Sequence, residues 1–187
     1  MGLSPRLPAP AKRLVGLLAV VAAVVVLLLS HGFGRATPTG NYRPLLPPDA
    51  LATGCYPLPD GAVLDVPHQI RRDGNVATAA GPRRLLVGQF DLIGRDAALD
   101  RMVEAFARVG FAAAAPQDDG DRRAIRLTKG GVTVTVTAAP YPNTGPGTLV
   151  RGEFTMDLPV ITAAKDDPVC SDPKSTKRWN GDAVMPQ

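Results

Sequence analysis

The chain has 187 residues, 45% of them hydrophobic, enough for one ordinary domain with a real core, and this composition argues against wholesale disorder. A sequence pI of about 9.4 suggests an acidic polymer as partner, but the position of the charges argues otherwise. Three of the 21 basic residues, Arg6, Lys12 and Arg13, precede the first apolar run, and beyond it 18 basic side chains face 17 acidic ones. The body of the protein is therefore nearly neutral and carries no electrostatic footprint for nucleic acid.

The apolar run is LVGLLAVVAAVVVLLL, from Leu14 to Leu29, and no formal charge stands between Arg13 and Arg35. A helix of about 20 such residues spans roughly 30 Å, the thickness of a bilayer core. Residues 14–33 are thus expected to form a single transmembrane helix. The basic flank 1–13 places the N-terminus in the cytoplasm and everything after the helix outside the cell membrane. The alternative is a signal peptide cleaved near Ala36, where Gly34-Arg35-Ala36 gives small residues at the right spacing, and the protein is then secreted. In both cases the domain is extracytoplasmic. The stretch LATGC before Tyr56 resembles a lipid-attachment box, but Cys55 lies far beyond Leu29, across a proline-rich stretch, where a peptidase at the membrane face does not reach.

Residues 34–54 read as a linker. Pro38, Pro44, Pro47 and Pro48 favour extended backbone, which holds a domain up to roughly 60 Å from the bilayer. The domain itself is expected over 55–170, bracketed by Cys55 and Cys170. In an oxidising compartment these two cysteines suggest a disulfide, with two free thiols or a bridge to another chain as alternatives.

Within the domain, Leu85–Leu92 reads as a strand and Ala62–Val66 as a further short one. Leu99, Met102, Phe106 and Val109 recur at helical spacing and predict a helix over about 95–109, with Asp96 suited to its positive end and Gly110 to its left-handed exit. Arg123–Thr128, Val132–Thr137 and Thr148–Leu158 follow as strands, the first two joined by a tight turn at Gly130-Gly131. In the last, Val150, Phe154, Met156 and Leu158 share one face and Arg151, Glu153, Thr155 and Asp157 the other. The expected fold class is α+β, a two-layer sandwich of one main helix on an antiparallel sheet of about four strands. Residues 171–187, with the single tryptophan Trp179, are polar without periodicity and read as a flexible tail.

The sequence is poor in chemistry. His31 sits at the membrane boundary and His68 is the domain's sole histidine, too few for a metal site or a Ser-His-Asp triad. Asp118, Asp119 and Asp121 lack the spacing of a calcium loop and are followed at once by Arg122 and Arg123, so a solvated turn is expected. Glu153 and Asp157 share a face but stand about 13 Å apart at strand rise, too far for paired catalytic carboxylates. They are expected to pair with Arg126 and Arg151 across the sheet. Arg71-Arg72 and Arg83-Arg84 read as solvated pairs. No catalytic residue, metal ligand or cofactor site is assigned.

Basic start, Val/Leu/Ala anchor, proline spacer and a small domain with two cysteines together resemble the uncharacterised single-pass membrane-anchored exported proteins of actinobacteria, a likeness that lies in organisation and in the Arg-, Ala- and Pro-rich composition. The expected function is a non-enzymatic protein-interaction module of the cell envelope. Its partner is another envelope or membrane protein, and its face is Arg126, Arg151, Glu153, Thr155 and Asp157. The alternatives are a domain binding a small ligand or lipid between helix and sheet, and a hydrolase using His68.

Overall fold

The alternation of Val134, Val136 and Ala138 with Thr133, Thr135 and Thr137 places every apolar side chain on one side of a strand. That strand lies inside a sheet in the computed structural model, which describes residues 19–26 and 48–179. The chain divides into two compact units, 1–39 and 40–187. Of the first, residues 19–26 are described; they are helical and their side chains are exposed. The basic start 1–13, the rest of the expected membrane segment 14–33, and the linker up to residue 47 lie outside the described residues. No described helix is long and apolar enough to cross a membrane.

The second unit is built on one mixed sheet of eight strands. In chain order its elements are β1 (His68–Thr78), β2 (Gly81–Asp91), α1 (Arg95–Ala107), β3 (Ala112–Ala113), β4 (Gln117–Asp119), β5 (Arg122–Lys129), β6 (Val132–Pro140), β7 (Val150–Leu158), α2 (Pro168–Ser171), α3 (Pro173–Thr176) and β8 (Arg178–Trp179), with a 3-10 turn at Pro59–Gly61 ahead of them. The strand order is β3-β5-β6-β7-β2-β1-β8, and β4 also pairs with β5. All pairings are antiparallel except β1 with β8, which is parallel.

This overturns the expected α+β sandwich of one main helix on about four strands. The sheet has eight strands, α2 and α3 are single turns of four residues each, and α1 packs on β5 and β6 and reaches β3 rather than roofing the whole sheet. The missing strands have definite physical causes. β1 carries a bulge between Ile70 and Arg72, so Ile70 and Asp73, three residues apart, both point to the core face, opposite Gly88 and Leu86. A period-2 search fails across that phase shift, and one of the inward residues is an aspartate. β3, β4 and β8 span only two or three residues, too few for any period. Ala62–Val66 is not a strand; Ala62 and Val66 are buried in the loop that leads to β1.

α1 begins at Arg95 behind an extended Gly94 and buries Ala98, Leu99, Met102, Ala105 and Phe106. Each of its large apolar side chains contributes about 1.5–3 kcal/mol by leaving water. It ends where Gly110 takes φ 93°; Phe111 N–H then donates to Phe106 O at 3.1 Å, and the two rings meet edge to face at 5.4 Å. Lys129 Nζ donates to Val109 O at 2.6 Å, placing a cation at the negative end of the helix. Beside α1, Leu58, Ala62 and Val66 from the segment before β1 join the same core as Ile70, Leu86, Phe90 and Phe154. Gly130 and Gly131, at φ 53° and 84°, make the tight β5–β6 turn, whose two central residues both need positive φ.

Candidate functional site

Three places on the domain bring polar chemistry together. The first fastens its two ends. Cys55 and Cys170 form a disulfide with their Cα atoms 5.2 Å apart. Next to it, Asp73 and Arg84 are 0% and 1% exposed. Arg84 grips the carboxylate through Nε and Nη2, both at 2.9 Å. Two further donors go to Pro57 O at 2.8 Å and Tyr56 O at 2.7 Å. Arg178 of β8 adds a second cation, with Nη1 at 3.1 Å from Asp73 Oδ2 and Nη2 donating to Asn75 Oδ1 at 3.1 Å. Its guanidinium lies 4.0 Å above the Tyr56 ring, and Tyr56 in turn donates to Cys170 O at 3.1 Å. The next residue, Trp179, turns to the other face, lies over Gly74 so closely that no Cβ fits there, and carries Arg72 at 5.1 Å above its ring. Residues 171–179, read from sequence as part of a flexible tail, are thus secured on β1. Arg84, read as solvated, is buried. Arg84 makes four hydrogen bonds to four acceptor atoms of the protein and is closed to solvent, so it is not presented to a ligand and this cluster is a structural clasp.

The second place is the sheet face opposite α1. The register sets it out in rows. Arg126, Thr135, Asp157, Leu85 and Gly74 lie side by side, and so do Ala124, Thr137, Thr155, Val87 and Arg72. The sequence-derived residues Arg126, Arg151, Glu153, Thr155 and Asp157 all fall on this face, but the expected pairing is different. Asp157 takes its ion pair from Arg83, whose Nε donates at 2.7 Å, and Arg83 Nη2 reaches Thr133 O at 2.8 Å. Arg126 is exposed and Glu153 has no ion pair among the described residues. Arg151 is the extra residue where the β2–β7 register skips between Phe90 and Asp91, and its Nε is buried without a hydrogen-bond partner among the described residues. Gln89 Nε2 donates to Tyr141 Oη at 2.9 Å along the same side. Arg72, Arg83 and Arg122 belong to this face as well, hidden from sequence reasoning by the bulge in β1 and by the unread register. Five arginines therefore stand against three carboxylates, Glu153, Asp157 and the Asp119 that pairs opposite Arg122, over a floor of threonine. No helix packs on this face among the described residues; a shallow depression between Arg122, Thr137, Glu153 and Thr155 holds only about 60 Å³.

The third place is a pocket of about 340 Å³ on the other side, between the turn at 49–52, the 3-10 turn and the start of β1. His68 lines it, and His68 Nδ1 lies 2.7 Å from Val66 O. It is not the expected cavity between helix and sheet, since no residue of α1 lines it.

The acidic segment expected as a solvated turn is exposed, but part of it is a strand. Asp118 and Asp119 belong to β4, and Arg123 clasps Asp118 through Nε at 2.7 Å and Nη2 at 3.1 Å. The hydrogen bond from Arg123 holds the Asp118 carboxyl below its usual range. Asp96 is lowered likewise, first by its hydrogen bond from Arg95, with Arg123 adding a smaller attraction. These charges are spent on each other. Among the described residues no three His, Cys, Asp or Glu side chains stand together as metal ligands.

No protein-family model, no curated protein and no solved structure matches the chain.

Proposed function

We propose that this protein is a non-enzymatic interaction module, held at the cell membrane by its apolar segment 14–33 with the domain outside, and that its open sheet face receives an acidic segment of an envelope or membrane protein. The observation that carries this reading is the contrast between the two sheet faces. One is roofed by α1 and the segment before β1, whereas the other presents Arg72, Arg83, Arg122, Arg126 and Arg151 against Asp119, Glu153 and Asp157. Such a surface attracts an acidic partner over a distance of about 8–10 Å at ordinary salt and suppresses basic ones by like-charge repulsion. The short side chains of Thr135, Thr137 and Thr155 let a partner's backbone approach between the flanking guanidinium groups.

The membrane part of the reading is supported by the length of the uncharged stretch and its basic flank. Secretion after cleavage near Ala36 is the competing outcome, and N-terminal sequencing of the mature protein distinguishes the two. The partner test is in-membrane crosslinking of the full-length chain followed by mass spectrometry, with the charge-reversal variant Arg122→Glu/Arg126→Glu/Arg151→Glu beside it. One reproducible acidic partner, recovered with the native chain and lost with the variant, supports the sheet face. A partner retained undiminished by the variant removes that face from the function.

A further inference from the structure

The pocket beside His68 has no part in the sheet-face reading, and its chemistry is specific. At about 30 Å³ for each water-sized group, its volume of about 340 Å³ has room for a ligand of roughly ten non-hydrogen atoms, and it falls in the range of small-molecule sites. Its walls are largely apolar, formed by Leu51, Leu58, Ala62 and Val63 among others, and Val63 is left 73% exposed at its edge. The walls are also fixed in advance. Asp49 Oδ1 accepts from Leu51 N and Ala52 N, both at 2.9 Å, which sets the turn on one side. On the other side Asp60 is tied to Lys129 at 2.7 Å, and both Asp60 and Gly61 hold positive φ, 53° and 72°. A site that is already ordered gives up little entropy on binding.

Two polar side chains line this apolar space, His68 and Asp49, and with the imidazole neutral both offer acceptors to it. Val66 O can only accept, so His68 Nδ1 carries the hydrogen between them, and in the neutral ring Nε2 is left with a lone pair. The second group is the Asp49 carboxylate. We infer that this pocket binds an aliphatic molecule of about ten non-hydrogen atoms whose head is a hydrogen-bond donor, a hydroxyl or an ammonium, satisfied by His68 Nε2 and Asp49. A carboxylate head meets the Asp49 charge and is rejected.

The test uses the full-length chain in lipid nanodiscs and a photoreactive diazirine-bearing alkanol, with crosslinked peptides read by mass spectrometry. The result expected is labelling concentrated within residues 49–68 and competed by 1-octanol or octylamine, with octanoate at least tenfold weaker. Ala52→Trp, an exposed position at the rim, lowers labelling at least tenfold; Val63→Trp serves if that variant does not fold. Asp49→Asn keeps the oxygen that accepts from Leu51 N and Ala52 N but removes the charge, and loses most of the preference for octanol over octanoate. Labelling spread along the chain and unchanged by both tryptophan variants, or octanoate competing as well as octanol, overturns the inference. The charge-reversal variant of the sheet face is expected to label normally, so the two sites stand or fall separately.

Discussion

Arg84 and Asp73 meet as diagonal neighbours on the core face of β1 and β2, in a two-bond pair at 2.9 Å that is closed to solvent. Removing one partner of such a pair strands a buried charge, which costs about 3–5 kcal/mol. Asp73→Ala is expected at the upper end, because it leaves both Arg84 and Arg178 uncompensated. Arg178→Met is expected to cost less, about 1.5–3 kcal/mol, the scale of a charge-assisted hydrogen bond, since Asp73 keeps its stronger partner. Urea unfolding of the three proteins gives the order directly; an Asp73→Ala variant within 1 kcal/mol of the native chain contradicts the clasp.

The disulfide acts on the same two ends by a different route. Cys55 and Cys170 are 115 residues apart in sequence, so the link removes much of the freedom of the unfolded chain, with about 2–5 kcal/mol as the usual consequence. The double variant Cys55→Ser/Cys170→Ser is expected to unfold at lower denaturant with a larger m-value, because its unfolded state exposes more surface. Intact-mass measurement without reductant is expected to show the native chain two hydrogens lighter than with it. Two alkylatable thiols in the non-reduced protein exclude the bond.

Much of the domain could be read in advance where one period ran unbroken. The helix at Arg95, the Val/Thr strand and the last long strand each repeat a simple pattern over six or more residues, and the Gly130-Gly131 turn has a sequence signature of its own. β1 was illegible because a bulge shifts its phase at Arg71 and its inward residue Asp73 is charged; only the arginines that arrive from β2 and β8 make that residue a core residue. The candidate face was legible strand by strand, as Arg151, Glu153, Thr155 and Asp157, but not as a surface. Register decides that Asp157 meets Arg83 rather than Arg126, and register is a property of pairing that no single strand encodes. The pocket could not be foreseen at all, since its walls are turns whose shape depends on Asp49 and on positive φ at Asp60.

Three carboxylates should titrate early. Asp118 is stabilised as an anion by its hydrogen bond from Arg123, Asp96 by that from Arg95, and Asp172 by Ser175 and the Lys174 amide at the start of α3. A pKa lowered by folding means stability that is fully present above the unfolded value and lost as pH falls through the folded one. The effect therefore belongs below about pH 4, and neutral solutions leave it untouched. Carboxyl NMR titration is expected to place all three midpoints below that of an unstructured aspartate. Arg123→Met should move the Asp118 midpoint upward and leave Asp172 where it was; an unmoved Asp118 refutes the assignment.

Two glycines in the centre of the sheet make the sharpest packing prediction. In the β2–β7 pairing Gly88 stands opposite Phe154 and Gly152 opposite Phe90, so each glycine lies beneath the ring of the other strand. A Cβ added at Gly88 falls into the Phe154 ring, with Gln69 O next at 3.1 Å; one added at Gly152 strikes the backbone oxygen of Ala139 as well as Phe90. Overpacking of this kind costs about 1–3 kcal/mol, but the two sites differ in what can give way. Shortening the ring clears the space at Gly88, so Phe154→Leu should offset part of the cost of Gly88→Ala, with a coupling of about 0.5–3 kcal/mol in a double-mutant cycle. At Gly152 the obstruction is main chain on the neighbouring strand. Phe90→Leu should therefore leave Gly152→Ala as damaging as before, and the two costs should simply add. Equal rescue at both positions would show that the rings alone, and not the Ala139 carbonyl, set the limit on the spacing of β6 and β7.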